Sequence, residues 1–246
     1  MSIIEVYFTP EEYIARHSAH NHTTVVVDIL RASTTICTAL AKGVKAIIPV
    51  AQLEEARAYK KQGYLVASER NSDPLAFADF GNSPLDFLNT KLLGKEIVLS
   101  TTNGTKSIAA ANNSQKVIIG AFINLSSLAQ YLIQNEQNVT ILCSGWKGVF
   151  NLEDTVFAGA LSDLLSQSGN YQQGNDGAVA ALALWKSVES DFITKMLLSE
   201  AAKRLLSKGL KKEIEYCFKV DQVKVVPVLK NGKIITQTLY PEAMHK

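Results

Sequence analysis

Thr24-Val25-Val26-Val27-Asp28-Ile29, followed at once by Leu30-Arg31-Ala32-Ser33-Thr34-Thr35, is the stretch from which the fold of this 246-residue chain is read. The β-branched run suits a strand buried on both faces, and residues 32–40 continue with helix-compatible spacing. A strand over residues 45–50 comes next. Residues 52–62 then step Leu53, Ala56 and Tyr59 or Lys60 along one helical face, Gly63 closes the helix, and residues 64–67 return as a strand.

The same grammar recurs downstream. Residues 96–99 read as strand, 100–105 as polar turn, 106–111 as a small-residue helix and 116–120 as strand. A third unit places a strand at 139–143, a glycine-containing loop at 144–151, and a helix at 152–165 bearing Val156, Ala160 and Leu164. Alternation of this kind predicts a three-layer α/β/α fold around a mainly parallel sheet. The last third differs: residues 178–208 are largely helical, while 224–229 and 233–239, joined through Asn231-Gly232, predict a C-terminal antiparallel hairpin. Residues 169–177 are polar, free of proline and flanked by helices, and read as a surface loop inside one domain spanning 1–246.

Composition narrows the class. With 47% apolar and 20% charged residues the chain has the material for a sizeable core. Its net charge of +2, from 25 basic and 23 acidic residues, is too balanced for the broad positive field of a nucleic-acid binder. No stretch approaches the roughly 18 apolar residues of a membrane span, and Met1 to Tyr13 has no signal-peptide core. Cys37, Cys143 and Cys217 are scattered and odd in number, so a reducing cytoplasm is expected. A homo-oligomer is compatible with all of this.

In open parallel sheets ligands gather beyond the carboxyl ends of strands, which directs attention to the loops there. Asp28 ends the first strand, and Ser33 and Thr34 crowd the following helix start, where free backbone N–H groups favour an anion and Arg31 adds a bidentate grip. Helix capping by Ser33 or Thr34, with Asp28 paired to Arg31, is the alternative account. Ser100-Thr101-Thr102-Asn103-Gly104-Thr105 offers four hydroxyls and an amide around one glycine, fit to wrap an oxyanion or to cap a helix. Ser144-Gly145-Trp146-Lys147-Gly148 precedes Glu153-Asp154; adjacent helical residues diverge by about 100°, so one of the two acids is expected to face the site. Glu69-Arg70 follows the strand at 64–67. Convergence of Asp28, Glu69 and Glu153 or Asp154 would give an oxygen-only ligand set suited to Mg²⁺.

Other phosphate chemistries find no support. There is no GxxxxGK[ST] loop, Cys143 has Val149 where a cysteine phosphatase needs arginine, and Asp28 lacks a second aspartate two residues on. Cys143 is expected to pack, and His17, His20 and His22 to lie in an exposed loop. Trp146 and Trp185 fit either core or pocket.

Five ordered motifs carry a family likeness: Asp28 through Thr35, Glu69-Arg70, Phe80-Gly81-Asn82-Ser83-Pro84, Thr101 through Thr105, and Glu153-Asp154 with Ala158-Gly159. Together they resemble the 2-phosphosulfolactate phosphatase family. The resemblance implies Mg²⁺-dependent hydrolysis of the phosphate ester of 2-phospho-3-sulfolactate to sulfolactate and phosphate, a step in coenzyme M biosynthesis. On the residues themselves, Asp28, Arg31, Glu69 and Arg70 are expected to be catalytic, with Asp28 as metal ligand or nucleophile, Glu69, Glu153 and Asp154 at the metal, and Arg31 and Arg70 at anionic groups. Ser33, Thr34, Thr101, Thr102, Asn103, Gly104, Thr105, Ser144 and Gly145 would bind substrate. The chain departs from the family pattern at residues 71–74, 199–202 and at Glu213-Ile214, and two rivals stand, the first of them motivated by residues 71–74 and 199–202. One is a non-catalytic phosphate-ligand binding protein, the other a phosphotransferase or isomerase acting on another small phosphorylated metabolite.

Overall fold

The computed structural model describes residues 1–16, 22–88 and 90–237. Eleven strands form one sheet: β1 (Ser2–Tyr7), β2 (Thr23–Val27), β3 (Ala46–Pro49), β4 (Leu65–Arg70), β5 (Asp73–Pro74), β6 (Glu96–Ser100), β7 (Lys116–Gly120), β8 (Val139–Cys143), β9 (Tyr171–Gln173), β10 (Val226–Lys230) and β11 (Lys233–Gln237). Among the described residues ten α-helices complete the three-layer α/β/α arrangement: α1 (Pro10–Arg16), α2 (Ala32–Ala41), α3 (Leu53–Lys61), α4 (Gly104–Ala110), α5 (Leu125–Asn135), α6 (Leu152–Gln167), α7 (Asp176–Val188), α8 (Phe192–Met196), α9 (Glu200–Ser207) and α10 (Lys211–Cys217). Among the described residues no helix is long and apolar enough to cross a membrane.

The strand order is β5-β4-β6-β3-β11-β10-β7-β2-β8-β1-β9. β4, β6 and β3 pair in parallel, as do β7, β2, β8, β1 and β9. The hairpin of β10 and β11 sits between these runs and pairs antiparallel to each, through Ile234 with Ile47 and Val228 with Ile118. Every side chain of β2 is buried, as its β-branched sequence requires of a strand covered on both faces. Glycine sets one close helix contact: a Cβ on Gly159 of α6 would fall 2.1 Å from the Ala181 carbonyl oxygen of α7.

Several expectations are corrected. The polar segment 169–177 contains β9, an edge strand whose Tyr171 is buried because it pairs with Ser2 of β1. β1 itself carried no recognised signal. β4 runs on through Glu69-Arg70, which therefore end the strand rather than follow it. His22 is buried, 3.0 Å from the Thr140 hydroxyl and 3.7 Å from Glu5, and not exposed; His17 and His20 lie outside the described residues. So does the Leu239 end of the predicted hairpin. Cys37, Cys143 and Cys217 are free and buried. Burial, with Asp154 and Glu153 nearby, pushes the Cys143 thiol well up, which removes any nucleophilic thiolate there.

Candidate active site

Asp28 leaves β2 at the meeting of two helix starts. Its Oδ1 accepts from Ala32 N–H at 3.4 Å, at the first residue of α2, and the Gly104 N–H that begins α4 also bonds it. The approach needs a glycine, since a Cβ at position 104 would stand 2.8 Å from Asp28 Oδ2 and 2.6 Å from Ala32 Cβ. Ser33 and Thr34 shape this loop from inside. Asp28 N–H donates to Ser33 Oγ at 2.8 Å, and Thr34 Oγ1 donates to the Ile29 carbonyl at 3.0 Å. The Leu30–Arg31 peptide is cis. Arg31 is buried: its Nη1 pairs with Glu213 and its Nη2 donates to the Ser72 carbonyl at 3.2 Å.

Glu69 fastens two other loops. Ser72 N–H and Thr102 N–H each donate to its carboxylate at 2.7 Å, and Thr102 Oγ1 adds a third contact at 3.2 Å. Arg70 turns back, donating to Ser100 Oγ at 3.0 Å and to the Glu69 carbonyl at 2.6 Å. Thr101 and Thr105 bond each other across the α4 start, with Thr105 N–H donating to Thr101 Oγ1 at 3.2 Å. Asn103 Oδ1 accepts from Lys147 N–H at 3.3 Å, tying this loop to the one after β8.

Glu153 and Asp154 both lie in the first turn of α6, and both are buried. Their surroundings differ. Asp154 accepts from Ile29 N–H at 2.9 Å and from Gly145 N–H at 3.3 Å, so both of its oxygens are occupied by site loops. Glu153 Oε1 has no hydrogen-bond partner among the described residues, and neither has the buried Ser144 hydroxyl.

The electrostatics follow from enclosure. Desolvation, then the Glu69 charge, pushes the Asp28 carboxyl up to about 6, against the pull of the Ala32 N–H, Arg31 and the Gly104 N–H. Desolvation pushes Glu153 up to about 7, opposed by its own N–H and by Ser199, with the Asp28 charge adding to the rise. Asp154 is driven well above the carboxylate range by burial and by Glu153 and Asp28, despite its two backbone donors. Paired carboxyls held near neutrality in this way are a recurrent mark of catalytic and cation-binding sites.

The loops close on a narrow crevice of about 10 Å³ lined by Asp28, Arg31, Glu69, Asn82, Asn103 and Trp146, among others. The structure thus brings Asp28, Glu69, Asn103, Glu153 and Asp154 together. It turns Ser33, Thr34, Thr101, Thr105 and Arg70 mainly to the framing of loops. Trp146 belongs to the site, whereas Trp185 packs against the core and stands 5.8 Å from the Phe192 ring.

Arg204 is missed from the sequence, and Asn82, quoted there in a motif, and Ser72 and Glu213, which fall among the departures, carried no site role. Arg204 of α9 lies over Trp146, its Cζ 3.7 Å from the ring centroid. A signal did exist: Ala201, Ala202 and Leu205 form the buried face of α9, and an arginine at 204 interrupts that face at helical spacing.

Comparison with known proteins gives the family. The family described as 2-phosphosulpholactate phosphatase matches residues 7–232. A protein of Thermotoga maritima named probable 2-phosphosulfolactate phosphatase is 41% identical over 213 residues, 87% of this chain and 91% of its own length. One of the same name from Pseudothermotoga lettingae is 36% identical over 96% of this chain and 99% of its own. Another from Caldanaerobacter subterraneus is 35% identical over 86% and 89%.

Proposed function

The chain belongs to the 2-phosphosulfolactate phosphatase family, and we propose that it hydrolyses the phosphate ester of a small anionic acid, 2-phospho-3-sulfolactate, to 3-sulfolactate and phosphate with the aid of Mg²⁺. The observation that carries this reading is the juxtaposition of Asp28 and Glu153, two enclosed carboxyls of which the Asp28 charge helps to raise Glu153, beside a crevice lined by the site loops.

Mg²⁺ prefers hard oxygen ligands, with one or two carboxylates from the protein and the rest from water and substrate phosphate. Among the described residues no three His, Cys, Asp or Glu side chains are grouped closely enough for an all-protein cage. For the smaller requirement the candidates are Asp28 and Glu153, whose Oε1 is buried without a partner among the described residues. We assign these two as the residues that would hold the ion, which when bound neutralises charge on the transferring phosphoryl group. Asp154 and Glu69 then act as positioning residues, because their oxygens clasp backbone N–H groups of the site loops. Asn103, half-buried and lining the crevice, would meet phosphate oxygens. Preorganised donors of this kind carry most of the catalysis in phosphoryl transfer. The three free, buried cysteines suit a reducing cytoplasm as the place of work.

Free phosphate release from a panel of small phosphorylated acids, with and without Mg²⁺, tests this reading. Release from 2-phospho-3-sulfolactate is expected. Tight binding without release would overturn it in favour of a binding protein, and product without free phosphate in favour of a transferase or isomerase.

A further inference from the structure

An ester that carries an acid group besides its phosphate meets a problem in this crevice, because Asp28 and Glu69 line it and repel a second anion. A cation has to answer that charge. The two arginines of the sequence motifs already have partners: Arg31, which lines the crevice, pairs with Glu213 and the Ser72 carbonyl, and Arg70 with Ser100 and the Glu69 carbonyl.

Arg204 is placed differently. Helix α9 is capped by Ser199, whose hydroxyl acts on Glu153, and just past its end Lys208 holds Asn71 O at 2.8 Å and Asp73 at 2.6 Å. The helix therefore bridges the α6 start and the loop after β4, with Arg204 between these anchors. Its guanidinium stacks on Trp146, a wall of the crevice, and its buried Nε–H has no partner among the described residues. Stacking on an indole face fixes the plane of the guanidinium and leaves its N–H edge free for a planar or tripodal oxyanion. The acids whose charges act most on Arg204 are Glu153, Asp28 and Glu69, which places it at the same site.

We propose that Arg204, held by Trp146, is a specificity residue that binds the non-transferring acid group of the substrate, a sulfonate or carboxylate. This rests on the phosphatase reading above and adds to it the residue that chooses among phosphate esters.

The test compares wild type, Arg204→Met and Arg204→Lys on 2-phospho-3-sulfolactate and on p-nitrophenyl phosphate, which lacks a second acid. Loss of one charged hydrogen-bonding group is expected to lower the kcat/KM preference for the acidic ester about ten- to a hundredfold in Arg204→Met, chiefly through KM. Lysine keeps the charge without the fork and should give an intermediate preference. An unchanged preference in Arg204→Met overturns the proposal; should that variant fail to fold by circular dichroism, an unchanged preference in Arg204→Lys does the same. If wild type hydrolyses neither ester, the phosphatase reading falls and the subsite is judged by calorimetry with 3-sulfolactate. Binding at least tenfold weaker in Arg204→Met, or in Arg204→Lys where methionine prevents folding, then supports the subsite, and equal or absent binding overturns it.

Discussion

Ile29 donates its backbone N–H to Oδ1 of Asp154 across 2.9 Å, joining the loop after β2 to the first turn of α6, 125 positions further along the chain. The other carboxylate oxygen takes Gly145 N–H, so one side chain fixes two site loops at once.

Asp154→Ala is expected to leave both N–H groups buried and unpaired, at a cost of about 1–3 kcal/mol each. Urea unfolding reads the loss, and hydrogen exchange at the Ile29 and Gly145 amides should accelerate. Protection unchanged at both amides would show that the clasp is not what orders these loops.

Asp28→Asn is expected to abolish phosphate release while raising the melting temperature by a few degrees, because an amide does not bear the enclosed charge. Activity near that of wild type would remove Asp28 from the chemistry.

The pH dependence has a definite sign. Asp28 and Glu153 titrate at about 6 and about 7 in the folded protein, above the roughly 4 of an unfolded chain, so the folded state holds their protons more tightly. The stability this confers is complete below about pH 4 and is lost as pH rises through 6 to 7. Mg²⁺ is expected to recover stability at pH 8 and to have little effect at pH 5, where protons occupy the same carboxyls. Thermal melts with and without EDTA check this, and readdition of Mg²⁺ should restore hydrolysis.

Glu213→Ala strands the Arg31 guanidinium, only 5% exposed, and is expected to destabilise by about 3–5 kcal/mol. Adding Arg31→Met should recover part of that loss. A double variant that is merely as unstable as the two single losses summed would argue against a direct pairing.

Gly104→Ala forces a methyl against Asp28 Oδ2 and Ala32 Cβ. Displacement of a reacting group by about 1 Å can cost about a hundredfold in rate. Steady-state phosphate release is expected to show that fall, whereas an active variant would mean that α4 yields without moving Asp28.

The positions of the acids and donor loops were legible because a strand buried on both faces leaves an uninterrupted β-branched run and must end in a polar turn. For that reason Asp28, Thr101 through Thr105 and Ser144 follow β2, β6 and β8 where the apolar runs stop. Short edge strands leave no such trace: β9 has three residues, and only Tyr171 among them is buried. Nor could the sequence show that Ser33 and Thr34 turn inward, since a hydroxyl suits a ligand and a backbone carbonyl equally well.

By itself, then, the sequence determined the α/β alternation, the C-terminal hairpin and the local chemistry of each loop, all of which depend on neighbours within a few residues. The tertiary structure alone decided that the hairpin lies between two parallel runs, that Asp154 clasps loops while Glu153 keeps an unpartnered oxygen, and that Arg204 stands over Trp146. Those outcomes depend on contacts between residues tens to more than a hundred positions apart, and burial, which sets the charge of each carboxyl, exists only once the chain has closed around it.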